Sequence, residues 1–192
     1  MKELTSQSII FTATAYLFQM GLNLGMLQIC LNIINNKTVN FSQLFGSFHI
    51  LVPFVLATIV FLVALILVAF PGVILLLVSI SFDWNNISNA DIFYNWTAII
   101  SGLIIIVPVV YVSVRLQFYN YFLIDEECSI FESITKSARI SKNYIWELFL
   151  LGVILSIIFF ISIIPLGAGL VISIPLGSMT TGYVYLKLKS NI

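Results

Sequence analysis

Charge is scarce in this chain: 8% of its 192 residues are Asp, Glu, Lys or Arg, about a third of the share usual in soluble domains. That scarcity excludes a water-facing exterior over most of the molecule. The eight basic and eight acidic residues cancel, and none of the basic ones forms a stripe suited to phosphate backbones, which excludes nucleic acid as a partner. Histidine occurs once, as His49, and cysteine twice, as Cys30 and Cys128, too few for a disulfide framework or a metal-ligand set. No nucleophile elbow, phosphate loop or zinc motif is present, so no catalytic residue, cofactor or metal is expected. The segment after Met1-Lys2-Glu3 shows no small-residue cleavage site, and no removable signal peptide is expected.

What the chain has is apolar length. Leu148–Leu186 runs for 39 residues without a charge, interrupted by Pro165 and the Gly167-Ala-Gly169 stretch. One helix of that length would measure about 58 Å against a hydrocarbon core of about 30 Å, so two spans joined by a turn at Ile164–Gly169 fit instead. Ile50–Phe82 is too short for two spans and reads as one helix, tilted or kinked at Pro71-Gly72. The expectation is a single all-α transmembrane domain over residues 1–192. It has about five transmembrane helices, at about 9–34, 50–80, 97–123, 145–164 and 167–187, and one amphipathic helix at about 129–143. A four-span alternative lays Ile9–Ile34 in the membrane interface.

Basic residues orient these spans. Lys37, Lys136, Arg139, Lys142, Lys187 and Lys189 fall on one side, and Lys2 alone on the other. This asymmetry predicts a cytoplasmic C-terminus and an outer N-terminus. The 83–96 loop is then exterior, with Trp84, Tyr94 and Trp96 as interfacial anchors. Asn86-Ile-Ser88 and Asn95-Trp-Thr97 match the glycosylation sequon, a short pattern that arises readily by chance.

Within the first span, Gly21, Gly25, Gln28 and Asn32 share one face and predict helix packing, with self-association or a polar pathway as sharper alternatives. Gln19 and Asn23 lie roughly opposite, which predicts protein contact on two sides. Arg115 is the one ionisable residue well inside a span, placed to snorkel toward the cytoplasmic interface or to meet an anionic headgroup or substrate. Asp125, Glu126 and Glu127 lead into the amphipathic segment, where negative charge favours a helix start and Ser129-xx-Glu132 reads as a capping box. Ile130, Phe131, Ile134, Ala138 and Ile140 are its apolar positions. Lys136, Arg139 and Lys142 are its basic ones, expected to contact anionic lipid. Asn143 is expected to end this helix in a left-handed conformation.

An ordered set of blocks resembles a bacterial family of polytopic membrane proteins of uncharacterised function. The blocks are Arg115-Leu-Gln-Phe118, Tyr121-Phe-Leu-Ile-Asp125-Glu126, Ser133-Ile-Thr-Lys-Ser137, Lys142 through Phe149, Gly167-Ala-Gly169-Leu, Pro175-Leu and Tyr183-Val-Tyr185-Leu. Related sequences form the membrane domain of some glycerophosphoryl diester phosphodiesterases. The resemblance implies a helical membrane fold, often of six helices; the phosphodiesterase activity is not carried over, because the catalytic domain has no counterpart in these residues. Asn143 and Val109 stand where relatives usually carry glycine.

The resulting expectation is a non-enzymatic protein of the bacterial inner (plasma) membrane that contacts membrane lipid, a second copy of itself or another membrane protein. The alternative is a small transporter or channel subunit, drawn from Pro71, Pro108 and Pro175 as helix breakers and from the amides of the first span.

Overall fold

The computed structural model describes residues 2–79, 96–164, 167 and 169–191, and these are helical with no strand among them. The 83–96 loop, its sequons and most of its aromatic anchors lie outside the described residues. Helix α1 (Lys2–Ile34) is followed by a short α2 (Gln43–Gly46) that runs through a 3-10 turn (Ser47–Ile50) into α3 (Leu51–Ser79). The rest of the chain forms α4 (Trp96–Leu116), α5 (Tyr119–Glu126), α6 (Ile130–Ile140), α7 (Ile145–Ile163) and α8 (Leu170–Lys189).

Four segments are long and apolar enough to cross a membrane: Thr14–Ile34, Gln43–Leu77, Ile99–Glu126 and Ile145–Ile163. Helix α8 is as long as a span but less apolar, because Ser173, Ser178, Thr180, Thr181 and Gly182 interrupt its aliphatic residues. Ser173, Gly177 and Gly182 are buried there, and small residues of this kind let neighbouring helices approach. Tight turn geometry joins α7 to α8: Gly167 has φ +79°, and a Cβ on Gly169 would lie 2.8 Å from the Ser162 carbonyl.

The prolines do not break the helices. Pro71, Pro108 and Pro175 are interior to α3, α4 and α8, all of which continue through them. Next to Pro71, Gly72 provides the close contact, since a Cβ there would come within 2.5 Å of Ile105 on α4. The expected continuous 97–123 helix does break, without a proline, at Gln117–Phe118. Arg115 and Asp125 are therefore not separated by one uninterrupted helix.

The buried core sits at one end of the bundle. Leu24, Leu31, Phe118, Tyr121, Phe122, Ile140, Leu148 and Tyr185 form it, drawn from α1, α5, α6, α7, α8 and the break before α5. Tyr121 stacks on Tyr185 with centroids 5.4 Å apart, and Phe122 meets the same ring edge-on at 5.0 Å. Much of the remaining helix surface is exposed and apolar, as lipid-facing surface must be.

The Gly21–Asn32 face of α1 meets the chain segment that follows it. Gly21 lies against the Phe48 ring, and a Cβ on Gly25 would overlap the Leu44 carbonyl. The Ser47 hydroxyl donates to Gln28 Oε1, and Asn32 Nδ2 donates to Gln43 Oε1 at 3.1 Å. Gln19 and Asn23, on the other side, are exposed. Gly25→Ala should therefore lower the thermal unfolding temperature in detergent. Gly102→Ala, with nothing within 4 Å of its added carbon, should leave it unchanged or raise it by up to about 1 kcal/mol of stability.

Candidate functional site

The sequence places its basic and acidic residues around one short helix, and the structure makes that helix the lid of the core. Ser133, Ser137 and Ser141 recur every fourth residue on α6 and are fully buried, together with Ile140. The face of α6 turned to the protein is thus a serine stripe, while Phe131, one of the apolar positions of the amphipathic segment, is 74% exposed. Small side chains bring the α6 backbone close to the α4–α5 junction, the geometry that small residues favour between helices.

Ser137 closes the break at Gln117–Phe118. Its hydroxyl donates to the Arg115 carbonyl at 3.1 Å and accepts from the Phe118 amide at 3.0 Å. One side chain so replaces both halves of a missing backbone interaction. Arg115 reinforces the joint: Nη2 donates to the Ala138 carbonyl at 2.9 Å, at the end of α6 where carbonyls lack helical partners. Its positive charge is also favourable at a helix C-terminus. The same guanidinium sits 5.7 Å from the Tyr111 ring centroid, and its Nε is buried with no hydrogen-bond partner.

The acidic cluster is held differently from the expectation. Asp125 and Glu126 end α5, and Glu127 follows in a left-handed conformation with φ 47°. Carboxylates at a helix C-terminus are unfavourable unless cations compensate. Lys189 supplies this at 2.7 Å from Asp125 and 2.6 Å from Glu126, and Lys136 lies 2.6 Å from Glu126 and 2.7 Å from Glu132. Tyr185 donates a further hydrogen bond to Asp125 at 3.0 Å. The hydrogen bond to Glu126, then that to Glu132, holds the Lys136 ammonium above the ordinary lysine range. The network ties α5, α6 and α8 together. Ser129 makes no side-chain cap, so the expected capping box does not form. Asn143 does not take the left-handed conformation either; Asn36 and Glu127 are the non-glycine residues that do, among the described residues.

These contacts divide the basic residues of α6. Lys136 is engaged by two carboxylates. Arg139 and Lys142 are exposed and have no salt bridge among the described residues. Phe131, Thr135 and Arg139 share one outward face of α6 at helical spacing, Lys142 is exposed in the turn that follows, and Trp146, 76% exposed, stands at the start of α7. His49 lies 3.5 Å from Glu127, and no group of three potential metal ligands occurs among the described residues.

A second feature lies between α1, α5, α7 and α8. A cavity of about 350 Å³ is bounded by Leu27, Gln117, Asn120, Tyr121, Phe159 and Thr181. Gln117 Nε2 is buried without a hydrogen-bond partner, while Asn120 Oδ1 accepts from the Tyr121 amide at 3.0 Å.

In the sequence Ser137 and Tyr185 stand out only as members of the blocks that carry the resemblance, with no structural role attached to either. The spacing Ser133-xxx-Ser137-xxx-Ser141 was the available signal for the first. Tyr185 had none, because its partner Asp125 is 60 residues away.

Long apolar helices closed at one end by a docked amphipathic helix define a helical membrane protein. The chain belongs to the family described as Protein of unknown function (DUF975), whose profile matches residues 1–191. That match extends well beyond the Arg115–Leu188 region in which the resemblance was most marked. No curated protein and no solved structure matched the chain.

Ser137→Ala leaves the buried Phe118 amide and Arg115 carbonyl without their partner. It should destabilise the protein by about 1–3 kcal/mol, read as a lower unfolding temperature in detergent. Arg115→Gln should shift the same transition in the same direction.

Proposed function

We propose that this protein is a non-enzymatic component of the bacterial inner membrane that contacts anionic lipid through α6, with its C-terminus cytoplasmic. The observation that carries this reading is the outward side of α6 and the turn after it, which combines Phe131 with Arg139 and Lys142, two cations with no salt bridge among the described residues. An exposed aromatic beside basic side chains at the end of a bundle suits the headgroup region, where each cation gains about 1 kcal/mol near an anionic surface. The asymmetry of basic residues supports a cytoplasmic placement of this end. The resemblance to a bacterial family of polytopic membrane proteins supports the bacterial setting of this reading. Asp125 and Glu126, the closest approach to paired acids, are engaged by lysines instead of facing an open site. A protein partner is also part of the reading: Gln19 and Asn23 are exposed in the middle of a span, where an amide gains from a neighbouring helix.

Vesicle binding separates the roles of the cations. The Arg139→Gln/Lys142→Gln protein should lose preference for phosphatidylglycerol over phosphatidylcholine in native mass spectrometry while keeping its unfolding temperature. Lys136→Gln should lower the unfolding temperature and keep the preference. Unchanged lipid retention in the double variant would overturn the reading. The rival, a small transporter or channel subunit, draws on the cavity at Gln117, whose buried amide Nε2 has no hydrogen-bond partner among the described residues. Solute flux in proteoliposomes, abolished by Gln117→Leu with lipid preference intact, would establish it instead.

Topology has its own check. Burial pushes the Cys128 thiol up, so the native cysteine is a poor reporter of sidedness. In a cysteine-free background, Asn86→Cys should react with an impermeant maleimide in intact cells. Asn143→Cys, at an exposed position, should react only after permeabilisation.

A further inference from the structure

An apolar groove of about 320 Å³ runs between α4 and α7, with Ile106, Val110, Tyr111 and Val114 on one wall and Trp146 and Phe149 on the other. Its walls are cut from two helices that are long and apolar enough to span the membrane, so the groove faces lipid. From Ile106 to Val114 it follows α4 for about 12 Å, close to the depth of one leaflet's hydrocarbon, about 15 Å. Trp146 stands edge-on to Phe149 with centroids 6.0 Å apart, which stiffens that wall.

One end of the groove is electropositive. Val114 precedes Arg115, whose guanidinium lies beside Tyr111 and bonds to the Ala138 carbonyl of α6. Ile145, at the same end, is three residues from Lys142, and both Lys142 and Arg139 are exposed without a carboxylate partner among the described residues. Glu147 is exposed on α7 but is not part of the groove wall. Free cations above a dry, chain-shaped slot match an amphiphile with a negative head and an apolar tail.

We propose that the α4–α7 groove seats one acyl chain of an anionic glycerophospholipid from the leaflet that α6 faces, with its phosphate at Lys142 and Arg139. This rests on the lipid-contact reading above and adds to it a defined chain site and a headgroup class. A lipid held this way joins the outer face of α6 to the start of α7.

Trp146 makes the site measurable. The full chain carrying Trp84→Phe and Trp96→Phe keeps Trp146 as its one tryptophan, for reconstitution into phosphatidylcholine vesicles. Phosphatidylglycerol or phosphatidylcholine with brominated chains is then titrated in. Brominated phosphatidylglycerol should quench Trp146 with about thirty-fold higher apparent affinity, the factor expected from about 1 kcal/mol for each of two basic residues at the headgroup. Arg139→Gln/Lys142→Gln should abolish the difference. Val110→Phe, which fills the slot, should weaken quenching while whole-protein preference for phosphatidylglycerol in native mass spectrometry persists. The native protein read against Trp146→Phe gives the same difference if the double tryptophan variant folds poorly. Equal quenching by the two lipids, with the whole-protein preference intact, would overturn the chain site and leave headgroup contact standing. Equal quenching with no preference by either measurement would overturn both.

Discussion

A spanning helix that ends below the membrane surface exposes amide and carbonyl groups that lipid cannot satisfy, at a cost of several kcal/mol for each group left bare. Here that problem arises at Gln117–Phe118, where α4 stops and α5 has yet to begin. Ser137 answers it from another helix, since a hydroxyl both donates and accepts. Once α6 must deliver Ser137 to this point, much of its remaining geometry follows. Ser133 and Ser141 must be small to let its backbone in, and Arg115 is brought against its last turn. Phe118, held at the break, becomes part of the aromatic core with Tyr121 and Tyr185.

The electrostatics follow from the same docking. Bringing α6 over the end of α5 and beside α8 gathers Asp125, Glu126 and Glu132 with Lys136 and Lys189. Isolated surface ion pairs contribute little, but a network sharing Glu126 between two lysines fixes the relative placement of three helices. It also leaves Arg139 and Lys142 without a salt bridge among the described residues. A helix that looks uniformly basic in sequence therefore has an inner, neutralised edge and an outer, charged one. The outer edge is the one continuous with Trp146 and the mouth of the α4–α7 groove.

The apolar runs made most of the helices legible, because in lipid the helix is the solution that satisfies its own backbone. The hairpin at Ile164–Gly169 could be read from length and from glycine alone. The prolines misled as signals of broken helices: the neighbouring turns accommodate Pro71, Pro108 and Pro175, and the break occurs where a serine from elsewhere offers a substitute bond. The stripe Gly21, Gly25, Gln28 and Asn32 announced a close approach, but could not say that the approaching element was residues 43–48 of the same chain. The Ser129-xx-Glu132 box did not form: the Ser129 side chain makes no cap, and Glu132 pairs instead with Lys136 one turn further along the same helix.

The sequence by itself determined that this is a helical membrane protein and where its long helices lie, because those properties depend on length and hydropathy along the chain. Its charge asymmetry likewise marked one end as distinct. Only the tertiary structure decided which side chains at that end are structural and which are free. The partners of Ser137, Asp125 and Glu126 lie at separations of 10 to 64 residues, and no periodicity within a helix encodes them. The groove has the same origin, since α4 and α7 each carry an ordinary apolar face and only their packing leaves a slot between them.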